Sequence, residues 1–246
     1  MVILSEKAQH STAAVFGSSG GIGKALVDEL IQRGVGRIYS LSRSSQIDTR
    51  KEVISLHFDL KEERTIVAAA KKMKDKPPDM TFVATGILTL SDGSRPERSV
   101  KELKQECAVE MFLINTIGPA IIAKHLIPLF DRRKPTVFAA LTARVGSNSD
   151  NALGGWHSYR SSKAALNMLL KNLAIELGRT HPSALVVGLH PGTVDSNLSK
   201  PFQSGIPQKQ LLHPKDAARS LLNVVSRLKV DDSGKVFDWR GDLILP

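Results

Sequence analysis

The chain has 246 residues, 41% hydrophobic and 24% charged, with one cysteine, Cys107, and a formal net charge of +10. That balance excludes a disordered or collagen-like chain, and a lone cysteine excludes an internal disulfide framework or a zinc ribbon; the length allows a core burying about three quarters of the unfolded surface. The basic residues are scattered (Lys71, Lys72, Lys74, Lys76; Arg95, Arg98, Lys101, Lys104; Arg132, Arg133, Lys134) and aromatics are only 5%, so the charge reads as solvated faces and not as a nucleic-acid surface.

In chain order, the apolar run Ala13-Ala14-Val15-Phe16 is followed by glycines and a helical pattern over 24–33. Strands are predicted at 37–41 and 53–58, a helix at 62–74 and a strand at 81–84. Residues 100–130 read as helix, with a kink or break at Gly118-Pro119. A buried strand follows at 136–141. Leu166, Leu169, Leu170, Leu173 and Leu177 give helical spacing over 159–179. A strand at 185–189, a helix at 216–228 and a strand at 236–239 complete the series. Strand and helix alternate, and the strands are short and β-branched, as expected when helices cover both faces. The prediction is a doubly wound α/β fold, with a central, mostly parallel sheet flanked by helices and residues 1–246 in one domain. Ligands of such sheets sit at the carboxyl ends of the strands.

The opening Met1-Val2-Ile3-Leu4 has no basic region and no long apolar run, so it does not read as a signal peptide. No stretch approaches 18 consecutive apolar residues, so no membrane helix is expected. With one cysteine, the reading is a cytoplasmic protein in a reducing compartment.

The loop Gly17-Ser18-Ser19-Gly20-Gly21-Ile22-Gly23 runs from the first strand into a helix. Glycines let the backbone approach a phosphate, and the helix N-terminus adds free N–H groups. A P-loop is disfavoured, because the window starts at Ser18 and Ala25 follows Lys24. Gly17-Ser18-Ser19-Gly20-Gly21 matches a nucleophile elbow literally, but no strand or glycine cluster precedes it to supply an oxyanion hole. A dinucleotide loop spaced G-x-x-x-G-x-G remains. Tyr159 and Lys163 favour it: four residues apart, they share a helix face, and an ammonium beside a phenol favours the phenolate. Such a pair serves as general acid and base for an alcohol or carbonyl. Seven histidines show no metal-ligand spacing, so no metal is expected.

With these motifs in order, the sequence resembles the short-chain dehydrogenase/reductase family, non-extended type, and within it the C-factor-like proteins, over nearly the whole chain. The resemblance implies a Rossmann fold in which Gly17, Ser19, Gly21, Ile22 and Gly23 form the cofactor loop. Asp59 and Leu60 would contact the adenine, and Thr85 and Gly86 the ribose side. Pro191, Gly192, Thr193 and Val194 would hold the nicotinamide carboxamide and diphosphate. It makes Tyr159 and Lys163 the catalytic pair and Asn115 the residue that positions a proton-relaying water. Where family members using NAD carry an acid after the second strand, this chain has Ser42-Arg43-Ser44. Arg43 can grip a 2′-phosphate, so NADP is favoured over NAD.

Two positions depart from the family pattern. Val83-Ala84-Thr85-Gly86 stands where an asparagine-rich motif is usual, and Ala143 falls on the catalytic serine. Thr142 is the expected stand-in, with Ser147 another nearby hydroxyl. Arg144 and Arg160 flank these elements and would suit an anionic substrate if they face the cleft. His190 is expected as a buried histidine near the cofactor. Residues 195–213, polar and proline-bearing, lie where the family keeps a substrate-covering loop. The resemblance also implies a homodimer or homotetramer, through the helix carrying Tyr159. The predicted function is an NADP-dependent oxidoreductase acting on a small carbonyl or alcohol; the alternative is a dinucleotide-binding signalling or sensor protein with little catalysis.

Overall fold

The computed structural model describes residues 8–44, 47–204, 207 and 210–246. The segment read against a signal peptide, 1–7, lies outside them.

An eight-stranded sheet runs in the order β10-β9-β6-β5-β4-β1-β2-β3. Its strands are β1 (Thr12–Phe16), β2 (Arg37–Ser42), β3 (Val53–His57), β4 (Met80–Val83), β5 (Thr136–Leu141), β6 (Ala184–His190), β9 (Val236–Asp238) and β10 (Leu243–Ile244). Every pairing is parallel except β9 with β10. Alternation along each strand assigns side chains to two layers. Ala13, Val15, Val137, Ala139, Leu185 and Val187 pack with α1 (Gly21–Gln32) and α6 (Pro214–Arg227). Ala14, Phe16, Phe138, Ala140 and Val186 pack with α2 (Glu63–Met73), α4 (Gly118–Leu126) and α5 (His157–Gly178). The doubly wound prediction holds, and the direction of winding reverses between β1 and β4, where a crevice forms above the strand ends.

Three local features differ from expectation. First, α1 begins at Gly21, three residues before the apolar periodicity does. Second, the helix does not break at Gly118-Pro119. α3 (Gln105–Phe112) continues into a wide π-turn over Leu113–Ile117 and directly into α4. Gly118 N–H bonds to Leu113 O, five residues back. The wide turn accommodates a proline with no N–H to give to the preceding turn. Over Gln105–Leu129 this helix is long and apolar enough, by length and composition, to cross a membrane; here Ile122, Ala123 and Leu126 are buried in the protein core. Third, the sequence reading missed β10 and a separate parallel pair, β7 (Thr193–Val194) with β8 (Leu211–Leu212). Two-residue strands are too short to show a period.

Candidate active site

The glycine loop is shaped by backbone contacts. Gly17 has φ +85°, and a Cβ there would lie 3.0 Å from the Ala84 backbone. A Cβ on Gly23 would lie 2.1 Å from Gly17 O, so the first turn of α1 packs directly on the loop. Ser40 Oγ donates to Ser18 Oγ at 2.8 Å, and Ser18 Oγ donates to Leu41 O at 3.0 Å, fixing the loop to β2. Gly20, extended at φ −76° and ψ 163°, provides no side-chain cap for α1. The helix N-terminus therefore presents uncapped N–H groups beside a glycine cradle, which fits a diphosphate.

Two cavities meet at this loop. The larger, about 920 Å³, is bordered by Ser19, Gly21, Ile22, Thr85 and Gly86, by Pro191–Val194, and by Tyr159 and Lys163. The smaller, about 330 Å³, is bordered by Gly17, Ser42, Asp59 and Leu60. Arg43, exposed at the end of β2, borders both. Ser42 is buried, and its hydroxyl contacts Ser44 O at 3.4 Å. The positions expected to hold a dinucleotide thus converge, with Gly23 beneath the loop and not in its wall. The Thr85 hydroxyl is buried without a hydrogen-bond partner among the described residues and stands between the two cavities. An orphaned donor in the wall is a further feature that fits a polar ligand.

Tyr159 and Lys163 are both buried on α5. Lys163 Nζ donates to Leu141 O at 2.9 Å. Burial pushes the Lys163 pKa down to about 8 and the Tyr159 phenol up to about 12. The expectation that lysine lowers the phenol is not met: desolvation dominates both groups. Tyr159 is thereby held in its protonated form.

Asn115 lies at the centre of the π-turn, wholly buried. Its Oδ1 accepts from Ile87 N at 2.9 Å, and its Nδ2 donates to Ile87 O at 3.0 Å and Ser162 Oγ at 3.2 Å. It does not line the larger cavity but backs Gly86, where an added Cβ would lie 3.3 Å from Asn115 Oδ1 and 3.6 Å from Lys163 Nζ. Thr142, the expected stand-in, borders the larger cavity. Its hydroxyl donates to Asn167 Oδ1 at 2.6 Å, so its proton is committed to α5. Ser147 is buried, and its hydroxyl accepts from Asp150 N at 3.1 Å. Ala143 itself borders the cavity and packs with Tyr159.

Arg144 reaches the cavity but is paired with Asp150 at 2.7 Å and Asp238 at 3.4 Å. Arg160 donates to Gly154 O and Gly155 O, both at 3.1 Å, and is structural. His190 borders the cavity at the end of β6, and its buried Nδ1 has no hydrogen-bond partner among the described residues. Burial, aided by the Arg144 guanidinium, pushes its pKa down to about 4, so it is neutral. Of the expected covering segment, residues 205, 206, 208 and 209 lie outside the described residues. Within the rest, Phe202 meets Trp156 edge-on with centroids 5.3 Å apart.

Sequence reasoning missed the clamp before Tyr159. Gly154 and Gly155 have φ of +64° and +62°, and Trp156 follows at +50°. The buried Glu97 holds this turn: its carbonyl accepts from Trp156 N at 2.5 Å, and its carboxylate accepts from both Ser158 N and Ser158 Oγ. The Gly154-Gly155 pair was the available signal of a left-handed turn.

The model of the short-chain dehydrogenase family matches residues 11–206. The chain belongs to the short-chain dehydrogenase family. This short-chain dehydrogenase is 28% identical over 228 residues to the 1-hydroxy-2-glutathionyl-2-methyl-3-butene dehydrogenase of Rhodococcus sp., covering 92% of this chain and 95% of the relative. It is 35% identical over 131 residues to the C-signal protein of Myxococcus xanthus, covering 53% of this chain and 73% of that protein. C-factor-like proteins are therefore among its relatives. Its fold is similar to that of the NADPH-bound carbonyl reductase from chicken fatty liver, with a TM-score of 0.81 at 20% identity, covering 96% of this chain and 94% of the reductase.

Proposed function

We propose that this short-chain dehydrogenase is an NADP-dependent oxidoreductase that interconverts a carbonyl and an alcohol. The observation that carries the reading is the shared cavity: Tyr159 and Lys163 face the same 920 Å³ space as the glycine loop and the Pro191–Val194 segment. Arg43, with no acid in place of Ser42, supports NADP over NAD, and the chicken relative was solved with NADPH. Bound NADP(H) supplies or accepts the hydride. Ser19, Gly21 and Ile22 would hold the diphosphate, Arg43 the 2′-phosphate, Asp59 and Leu60 the adenine, and Pro191, Gly192, Thr193 and Val194 the nicotinamide.

The protein's own groups handle the proton. In reduction Tyr159 gives its phenolic proton to the substrate oxygen; in oxidation it takes one back. Lys163 spends one of its three N–H donors on Leu141 O, leaving two for ribose hydroxyls and for the phenolate once it forms. Asn115 fixes Ile87 and backs Gly86, keeping the wall beneath Lys163 in place. A homo-oligomer is part of this reading, supported by Met168 and Ile175, exposed seven residues apart on α5.

Ala143 favours a second reading, a dinucleotide binder without turnover, because the Thr142 hydroxyl, although at the same cavity wall, gives its proton to Asn167 Oδ1. The test measures NADPH affinity and carbonyl reduction for wild type, Tyr159→Phe and Lys163→Ala. Tyr159→Phe is expected to bind normally and lose ~10²-fold or more in rate; Lys163→Ala is expected to lose both. Full activity in Tyr159→Phe would refute the acid/base assignment. Tight NADPH binding with no reduction across a broad carbonyl panel would promote the second reading.

A further inference from the structure

The charge on the larger cavity is one-sided. Its wall includes Arg43, Arg95, Arg98, Arg144 and Lys163 and not one aspartate or glutamate. Three of the five are accounted for: Arg43 stands at the nucleotide end, Lys163 is buried beside Tyr159, and Arg144 is paired with two aspartates. Arg95 and Arg98 are left. Both are exposed, and among the described residues neither guanidinium has an ion-pair partner.

Their place is fixed by the Glu97 clamp between them. Glu97 and Arg98 lie against the turn that starts α5, since a Cβ on Gly155 would be 3.5 Å from the carbonyl oxygens of both. Trp156, held by Glu97 O, meets the Tyr159 ring edge-on with centroids 6.1 Å apart. The Arg98 backbone is thus anchored at the Tyr159 end of the cavity, and Arg95 lines the same cavity two residues before the clamp. The same cavity carries a group of apolar side chains, Leu88, Ala143, Val145, Trp156 and Phe202, all of which pack in one cluster with Tyr159.

We propose that Arg95 and Arg98 form a subsite for an oxyanion, a carboxylate or phosphate carried by the substrate beyond an apolar middle, with the carbonyl at Tyr159. The placement of the carbonyl rests on the oxidoreductase reading; the anion subsite does not. A guanidinium matches either oxyanion through two parallel donors. In a cavity lined by a single sign of charge, the field draws anions inward. Glu97 holds the turn between the two arginines and α5, with its carboxylate turned to Ser158 and paired with neither guanidinium.

The test uses the full chain saturated with NADPH and three probes: 4-formylbenzoate, its neutral methyl ester, and 4-formylphenyl phosphate. Binding is read by calorimetry and turnover by NADPH oxidation. An anionic probe is expected to bind about tenfold or more tighter than the ester, seen as a lower KM at similar kcat. Arg95→Gln and Arg98→Gln should each shrink that ratio and the double variant should abolish it. Arg132→Gln, which removes the same charge at an exposed site elsewhere, should keep it. Whichever anionic probe leads, carboxylate or phosphate, identifies the headgroup. Selective binding lost in the double variant, without turnover of any probe, upholds the subsite and counts only against the placement of the carbonyl at Tyr159. Equal affinity for ester and anions, no binding of any probe, or a preference that survives in the double variant overturns the proposal.

Discussion

Thr142 Oγ1 donates to Asn167 Oδ1 at 2.6 Å, while the neighbouring Ala143 borders the cavity and packs with Tyr159. Both residues border the larger cavity, but the one that carries a hydroxyl gives its proton to α5. Losing such a donor to the substrate oxygen typically costs ~10²–10³ in rate. Ala143→Ser is therefore expected to raise carbonyl reduction at least about tenfold. Thr142→Val should leave the rate within about threefold and lower stability by ~1–2 kcal/mol, because Asn167 loses a buried partner. Steady-state kinetics and denaturant melts of both variants check this; a large rate loss in Thr142→Val would make its hydroxyl the working donor.

The parts of the candidate site that the sequence makes legible are local. Gly17 to Gly23, the Tyr159–Lys163 spacing and Pro191-Gly192 each declare themselves within a few residues. The clamp did not, because Glu97 and Ser158 are 61 residues apart and become partners only through tertiary capture. The same holds for Thr142: a hydroxyl next to the expected position looked available until α5 delivered Asn167 to it. The alternation of strands and helices was legible because burial on both faces selects apolar, β-branched runs. The π-turn was hidden because its residues, Leu113–Ile117, carry an ordinary helical composition.

Gly23 tests whether the loop is as tight as it looks. An added Cβ would lie 2.1 Å from Gly17 O and 2.8 Å from Gly17 C, both backbone atoms. Gly23→Ala is expected to cost about 3 kcal/mol or more and to abolish NADPH binding. Gly34 provides the contrast: at φ +78° with nothing within 4 Å, Gly34→Ala bears only conformational strain, about 1–2 kcal/mol, and should bind normally. Thermal melts and cofactor titrations compare the two. A normally folded, normally binding Gly23→Ala would show that the loop can open.

Arg43 is the expected discriminator between cofactors. It borders both cavities at the end of β2, where no acid stands to repel a 2′-phosphate. A charge-assisted contact contributes ~1.5–3 kcal/mol, or roughly ten- to a hundred-fold in affinity. Arg43→Ala should lose that factor for NADP and little for NAD. Equal losses for the two nucleotides would remove Arg43 from the assignment.

Lys163 should make the ligand-free fold less stable than it could be. Burial lowers its pKa from 10.5 to about 8, so at neutral pH the fold must hold a charged ammonium away from water. The sign follows from proton counts. Between pH 8 and 10.5 the unfolded chain binds the extra proton, so stability rises with pH across that window; below pH 8 the cost is constant. Tyr159 acts above it: its folded pKa of about 12 lies over the unfolded 10, so stability falls again from pH 10 to 12. Lys163→Met removes the charge and the bond to Leu141 O. The first change stabilises and the second costs ~1 kcal/mol, leaving a net gain of ~2 kcal/mol at pH 7. The gain should shrink as pH approaches 10.5, even as Lys163→Met loses activity. Urea melts of wild type and variant at pH 7 and pH 10, without nucleotide, make the comparison. A variant less stable than wild type at pH 7 would mean that the ammonium contributes more to the apo fold, through Leu141 O, than its burial costs.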